Sequence, residues 1–214
     1  MRKTLKRIYN NRFKKYIYKL IQLPHFEILL ENELSKSSDN FFFIQIGAND
    51  GVKFDKLYQY VTKQKCKGLV LEPLEYYFKK LKYNYSNYQD IVPLNLAVHH
   101  KEKSSFIYHV NPNKLKKYSK WVQGIGSLNP EHLKNSKIED NDIIKEKVEC
   151  IHLMDLIIKK NIKKINLLQI DVEGYDAEVL KMLDLQIIKP SIIKYEVASL
   201  SYDDSKFVYE KLIN

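Results

Sequence analysis

Only two cysteines, Cys66 and Cys150, occur in the 214 residues, far apart and without metal-ligand spacing. That excludes a disulfide scaffold and a zinc site and points to a reducing compartment, while a single bridge between the two stays open. No apolar run approaches the roughly 20 residues that span a bilayer, and the first residues lack the unbroken apolar core of a secretory signal. The expected location is therefore the cytoplasm. No internal repeat is present, and the one linker-like stretch is the short polar SKSSDN at 35–40. Acids are missing from residues 1–20, which carry Arg2, Lys3, Lys6, Arg7, Arg12, Lys14, Lys15 and Lys19, so most of the net charge of +10 sits there. We read 1–38 as a basic N-terminal helical segment and 39–214 as one α/β domain with a substantial core. Apolar residues interleave the basic ones in 1–21. This pattern suits either an amphipathic helix lying on an anionic membrane or a helix packed on the domain with a solvated basic face. Nucleic-acid binding is the weaker reading, because the basic residues do not continue over the body.

Glycine is also scarce, with six in all, yet Gly47 and Gly51 stand four apart in FFFIQIGANDG, residues 41–51. The run Phe41 to Ile46 is nearly all apolar, as in a parallel strand covered on both faces, with Gln45 the polar interruption. A loop with two glycines suggests that a ligand approaches the backbone there. Downstream, Val52, Leu57, Tyr60 and Val61 can share one helix face. A second strand, KGLVLEP, ends at Glu72, placed so that its carboxylate can accept hydrogen bonds from ribose hydroxyls. That arrangement implies an adenosine. The diphosphate fingerprint G-x-G-x-x-G and the Walker lysine pattern are both absent, and Asp50 stands in the loop as an acid that would repel a diphosphate. S-adenosylmethionine, a phosphate-free sulfonium cation, suits such a loop better.

INLLQIDVEGYDAEVLKML, residues 165–183, reads as another apolar strand ending at Asp171, a turn at Gly174 and a helix. Asp171 and Glu173 therefore fall at the carboxyl end of a parallel strand, where open α/β sheets bind ligands, and SIIKYEV brings Glu196 to the same rim. Asp171 can act as a base or cap the following helix; Glu196 can act as a base or form a surface ion pair. His99 is a further candidate base, or a solvated residue of the HHKEK turn. Between about 101 and 150, SSFIYHV reads as a strand, NSKIEDNDIIKEK as an exposed charged stretch, and VECIHLMDLI as a strand merging into a helix. WVQGIGSLNPEHL reads either as a lid beside the acceptor or as a connection that packs Trp121 into the core.

These segments, IQIGANDG, LVLEP, LNLAV, LLQIDVEGYDAEVLK and IIKYEV, resemble the FkbM family of S-adenosylmethionine-dependent methyltransferases in order and approximate spacing over residues 40–200. The resemblance extends to Asp55 at the start of the first helix and to a mid-chain step at Gly126 and Ser127. It implies a Rossmann-like methyltransferase fold, a mostly parallel sheet with helices on both faces, whose C-terminal antiparallel strand pair is not found before Asn214. The chain is therefore expected to be either naturally short or a fragment. The resemblance also implies that Gly47, Ala48, Asn49 and Gly51 line the methionine and ribose part of S-adenosylmethionine, that Glu72 holds the ribose, and that Ala97 and Val98, ending the third strand, lie near adenine. Asp171 and Glu173 would face the cofactor's methyl end or the acceptor; with Glu196 they are the candidate catalytic carboxylates, Asp171 first as the base, and no metal is expected. By resemblance the function is O-methylation of a sugar hydroxyl in a surface polysaccharide or glycolipid. The alternatives are a catalytically inactive cofactor-binding or scaffold protein and an RNA methyltransferase.

Overall fold

A computed structural model describes residues 26–37 and 40–213. The predicted basic helix at 1–21 lies outside the described residues. The central element is β1 (Phe42–Ile46), and its sequence explains its position. Phe41 and Phe43 turn to one face and Ile44 and Ile46 to the other, all at most 1% exposed. A strand apolar on both sides is stable only inside a sheet covered on both sides.

β1 pairs in parallel with β2 (Lys67–Leu71) on one side and with β8 (Leu167–Ile170) on the other. β3 (Ile91–Leu94) and β9 (Ile192–Lys194) complete a five-stranded parallel sheet in the order β3-β2-β1-β8-β9. One face packs on α1 (Phe26–Ser37), α2 (Leu57–Lys63) and α3 (Glu75–Asn84) through Leu30, Leu34, Leu57, Val61 and Leu81. The other packs on α5 (Leu153–Lys159), α6 (Asp176–Met182) and α7 (Tyr202–Ile213) through Leu156, Leu180 and Val208. This is the Rossmann-like architecture expected from the sequence. Residues 26–37 are helical and belong to the core of the domain: Asn166 Nδ2 donates to Glu33 Oε1 at 2.8 Å and to Ser37 Oγ at 2.7 Å. Among the described residues β9 pairs only with β8, and α7 is the next element.

A second sheet grows out of the segment between β3 and α5. It consists of β4 (Ala97–Val98), β5 (Ser104–Val110), β6 (Gly126–Ser127) and β7 (Ile143–Ile151), in the order β4-β7-β5-β6, with α4 (Pro130–Asn135) before β7. Its own small core holds Val110, Leu115, Val122, Ile125, Leu133 and Ile138.

Three expectations change. Ala97 and Val98 do not end the third parallel strand; they pair with Cys150 and Ile151 of β7. The cause is Asn95, whose Nδ2 donates to the carbonyls of Glu72 and Pro73 at 2.9 and 2.8 Å and turns the chain off the sheet. Residues 143–147 are not a loose charged stretch: they pair antiparallel with β5 along β7, with exposed Lys145 and Lys147 alternating with half-buried Ile144 and Glu146. The helix after the glycine loop begins only at Leu57, leaving Val52 44% exposed. Asp50 Oδ1 accepts from the amides of Val52 and Lys53, and Asp55 Oδ1 from that of Leu57, so side chains occupy the place of a first helical turn. Both cysteines are free thiols.

Candidate active site

β1 leads to β2 on one side and neighbours β8 on the other, so the chain splits at the carboxyl ends of these strands, and a crevice forms there. The crevice is a cavity of ≈ 460 Å³. The strand ends supply one wall and the insertion between Trp121 and Ser136 supplies the other.

The glycine loop follows β1. Gly47 has φ +78°, and a Cβ there would stand 1.8 Å from the backbone oxygen of Asp171. Gly51, also at +78°, would drive a Cβ into Leu81 and Tyr85 at 2.7 and 2.8 Å. Packing of the protein on itself, rather than approach of a ligand, thus requires both glycines, and Gly51 is not among the lining residues. The loop amides are spent internally. Those of Gly47 and Ala48 donate to Leu71 O, that of Asn49 to Glu72 Oε2 at 2.9 Å, that of Asp50 to Asn49 Oδ1, and that of Gly51 to Ala48 O. No cluster of free N–H groups is left to cradle a diphosphate. Asp50 itself does not face the cavity: it is 4% exposed and holds the loop together, so it is not the group that excludes a diphosphate.

Glu72 leaves β2 buried, 5% exposed, with Oε2 on Asn49 N and Oε1 on Leu74 N. Desolvation pushes its carboxyl up to about 7 against those two amide hydrogen bonds, with Glu146 and Asp50 adding to the rise. Two of its roughly four acceptor sites are used, and the rest remain available.

Across the cavity stand Asp171, Glu173 and Glu196. Asp171 is open to the cavity, yet the protein around it and the charges of Glu173, Asp176 and Glu196 push its carboxyl up to about 7, with Lys194 opposing. It does not cap the next helix. Asp176 takes the amides of Val172 and Glu196, at 3.3 and 3.0 Å. Glu173 adopts a left-handed φ of 51°, unusual for a residue with a side chain. Two contacts hold it: its carbonyl accepts from Ser127 Oγ at 2.9 Å, and its Oε2 meets His132 Nε2 at 3.0 Å. Burial raises the Glu173 carboxyl and His132 opposes the rise. Glu196 Oε2 accepts from Ser199 Oγ at 2.7 Å.

A polar row crosses the sheet wall. Gln45, Gln169 and Lys194 are register partners on β1, β8 and β9. Gln45 Nε2 donates to Asp55 Oδ2 at 3.0 Å, Gln169 Nε2 donates to the same oxygen, and Lys194 Nζ lies 3.8 Å from Asp55 Oδ1. Because a carboxylate only accepts, both amide nitrogens must face Asp55. Gln45 Oε1 is thereby left buried without a partner.

The sequence bears a family model described as Methyltransferase FkbM domain, matched over residues 45–212. The chain belongs to this family. No curated protein and no solved structure matches it. Membership makes a methyl transferase activity the function of the domain, and the FkbM match spans both walls of the cavity. Of the residues expected from the family motifs, Gly47, Ala48, Asn49, Glu72, Ala97, Val98, Asp171, Glu173 and Glu196 all line the cavity. His99 does not; it stacks on His100 and Tyr175 and accepts from the amides of Lys101 and Glu102. His132 and the pairing of Asp55 with Gln169 were not legible in the sequence. His132 lies at the end of the WVQGIGSLNPEHL stretch, whose pattern does not single out the histidine, and only the fold sets it against a residue 41 positions away. Trp121 is 60% exposed and lines the mouth together with Phe54, so the reading that buries it in the core does not hold. Among the described residues, no helix is long and apolar enough to cross a membrane, and no group of His, Cys, Asp and Glu has metal-site geometry.

Proposed function

We propose that this FkbM-family protein is an S-adenosylmethionine-dependent O-methyltransferase, acting on a sugar hydroxyl of a surface polysaccharide or glycolipid. The observation that carries the cofactor reading is charge. Asp55, Glu72, Asp171, Glu173 and Glu196 all line one cavity, opposed by Lys194 and His132 alone among the lining residues. Such a cavity favours a cation without phosphates. S-adenosylmethionine supplies a methyl group on a positively charged sulfur.

The residues present fit it. The spare acceptor sites of Glu72 suit the two ribose hydroxyls, and the unpartnered Gln45 Oε1 suits an ammonium donor at the Gly47, Ala48 and Asn49 end of the loop. Ala97 and Val98, 6% and 3% exposed, offer an apolar edge for adenine. Asp171, Glu173 and Glu196 supply the negative field at the acceptor end. The family likeness directs the acceptor assignment to a sugar, and exposed Phe54 and Trp121 at the mouth offer flat faces for a ring.

Calorimetric titration with S-adenosylmethionine tests the reading. We expect saturable binding that S-adenosylhomocysteine competes away, and transfer of labelled methyl to glycan rather than RNA. Absence of binding by the intact chain would overturn the cofactor assignment, and labelled RNA would overturn the acceptor class.

A further inference from the structure

Deprotonating a hydroxyl requires a base whose acceptor atom is open to the cavity and held in one orientation. The three strand-end carboxylates meet this poorly. Glu196 already accepts from Ser199, Asp171 is open but has no side-chain hydrogen bond among the described residues to fix its orientation, and Glu173 is engaged with His132. His132 meets it well. It lines the cavity from α4, whose start is fixed by Asn129 Oδ1 accepting from Glu131 N at 3.0 Å and by Ser127 Oγ accepting from Asn129 N at 3.2 Å. Its Nε2 faces Glu173 Oε2 at 3.0 Å, and a carboxylate there can only accept, so the proton of the neutral ring sits on Nε2. Nδ1 then carries the lone pair. No hydrogen bond involves Nδ1 among the described residues, and even a Cβ built on Gly174 would lie 3.8 Å from it. The backbone of Glu173, at φ 51°, is tied to the insertion wall by Ser127 Oγ donating to its carbonyl. A base aligned by a fixed carboxylate is the arrangement by which hydroxyls are activated on many unrelated folds.

We propose that His132 is a catalytic residue of this site, its Nδ1 receiving the proton of the acceptor hydroxyl, with Glu173 as the positioning residue that sets its tautomer. This rests on the methyltransferase reading above. As the acceptor O–H proton passes to Nδ1, the acceptor oxygen forms the C–O bond to the methyl carbon. The C–S bond breaks with its electron pair going to sulfur, and the positive charge passes from sulfur to an imidazolium beside Glu173.

Two measurements on the full chain test it. In ¹⁵N spectra of the protein, the imidazole signal that disappears in H132N should show the Nε2–H tautomer in the wild type and lose that preference in E173Q. In turnover assays with S-adenosylmethionine and a panel of methyl glycosides, H132N should lower kcat by about 10²-fold or more while the calorimetric Kd for S-adenosylmethionine stays within about twofold. E173Q should lower kcat by about tenfold with the same unchanged Kd. An Nδ1–H tautomer in the wild type, or H132N activity within about threefold of wild type, would overturn the proposal. Failure of the wild type to bind S-adenosylmethionine would instead overturn the functional reading on which it stands, so the two failures are told apart.

Discussion

The two walls of the cavity are built by different means. The sheet wall is backbone packed on backbone: Gly47 lies against the carbonyl of Asp171, and the loop amides close on Leu71 and Glu72. The insertion wall is side chains on a separately cored layer, tied to the rest by a few contacts such as Tyr77 Oη donating to Gln123 O and Asn49 Nδ2 donating to Gly124 O. A wall of the first kind tolerates little change and suits a constant ligand. One of the second kind can be re-sequenced without disturbing the sheet, which suits contacts that set specificity.

The sharpest break of this comparison is a matched pair of alanines. Gly47→Ala places a methyl 1.8 Å from a backbone oxygen at a φ of +78°, with nothing flexible to yield. Unfolding in urea should show a loss of about 3 kcal/mol or more, or no folded protein. Gly124→Ala meets the Phe54 ring at 3.1 Å, the end of a mobile side chain, and should cost about 1 kcal/mol or less. Equal costs would show that the walls are equally rigid.

Next in size is the pH dependence that Glu72 imposes on the sheet wall. Its carboxyl is raised to about 7 in the fold by desolvation, while an unfolded glutamate titrates near about 4.3. The folded chain therefore holds the proton more tightly. The stabilisation is complete below about pH 4 and is lost as pH rises through about 7, amounting to about 3 kcal/mol between pH 5 and 8. Asp171, also raised to about 7, acts in the same direction. Urea midpoints should fall over that interval in the wild type and fall less in Glu72→Gln. A slope unchanged by the substitution would remove Glu72 as its source.

The same contrast decides what was legible in the sequence. The β1 and β8 runs, Glu72 and the IDVEG turn could be read because a buried parallel strand must be apolar on both faces and its last residue must reach the crevice. The purpose of the glycines could not, since a sequence does not show that Asp171 O lies behind Gly47. The third strand was misread because the side chain of a single asparagine, Asn95, diverts the chain. In the insertion neither register nor partner was visible: the alternating charges of β7 resemble a solvated loop until β5 is set beside them, and His132 gains meaning only from Glu173.

On the sheet wall, Glu72→Ala should weaken S-adenosylmethionine binding by more than about tenfold in calorimetry, removing a charged acceptor of two hydrogen bonds. Part of that loss is indirect, since Asn49 N and Leu74 N lose their partner as well. Glu72→Gln separates the two contributions. Its amide oxygen can still accept from one backbone N–H, so a variant that keeps wild-type stability but binds weakly assigns the contact to the ligand. One that binds normally shows that Glu72 serves only the loop.

The smallest expected effect, and the one most specific to the insertion wall, is Trp121→Ala. The ring is 60% exposed at the mouth and takes no part in the small core formed by Val122 and Ile125, so folding should change by less than about 0.5 kcal/mol. The Kd for S-adenosylmethionine should not move, because the loop, Glu72 and Gln45 are untouched. KM for a glycoside acceptor should rise by about threefold to tenfold with kcat nearly constant, the signature of lost ground-state contact with a ring. A change in donor binding instead would place Trp121 on the cofactor and would mean that the walls do not divide donor from acceptor. An unchanged KM would show that the acceptor enters elsewhere along the mouth, past Glu196 and Ser199 rather than past the aromatic pair.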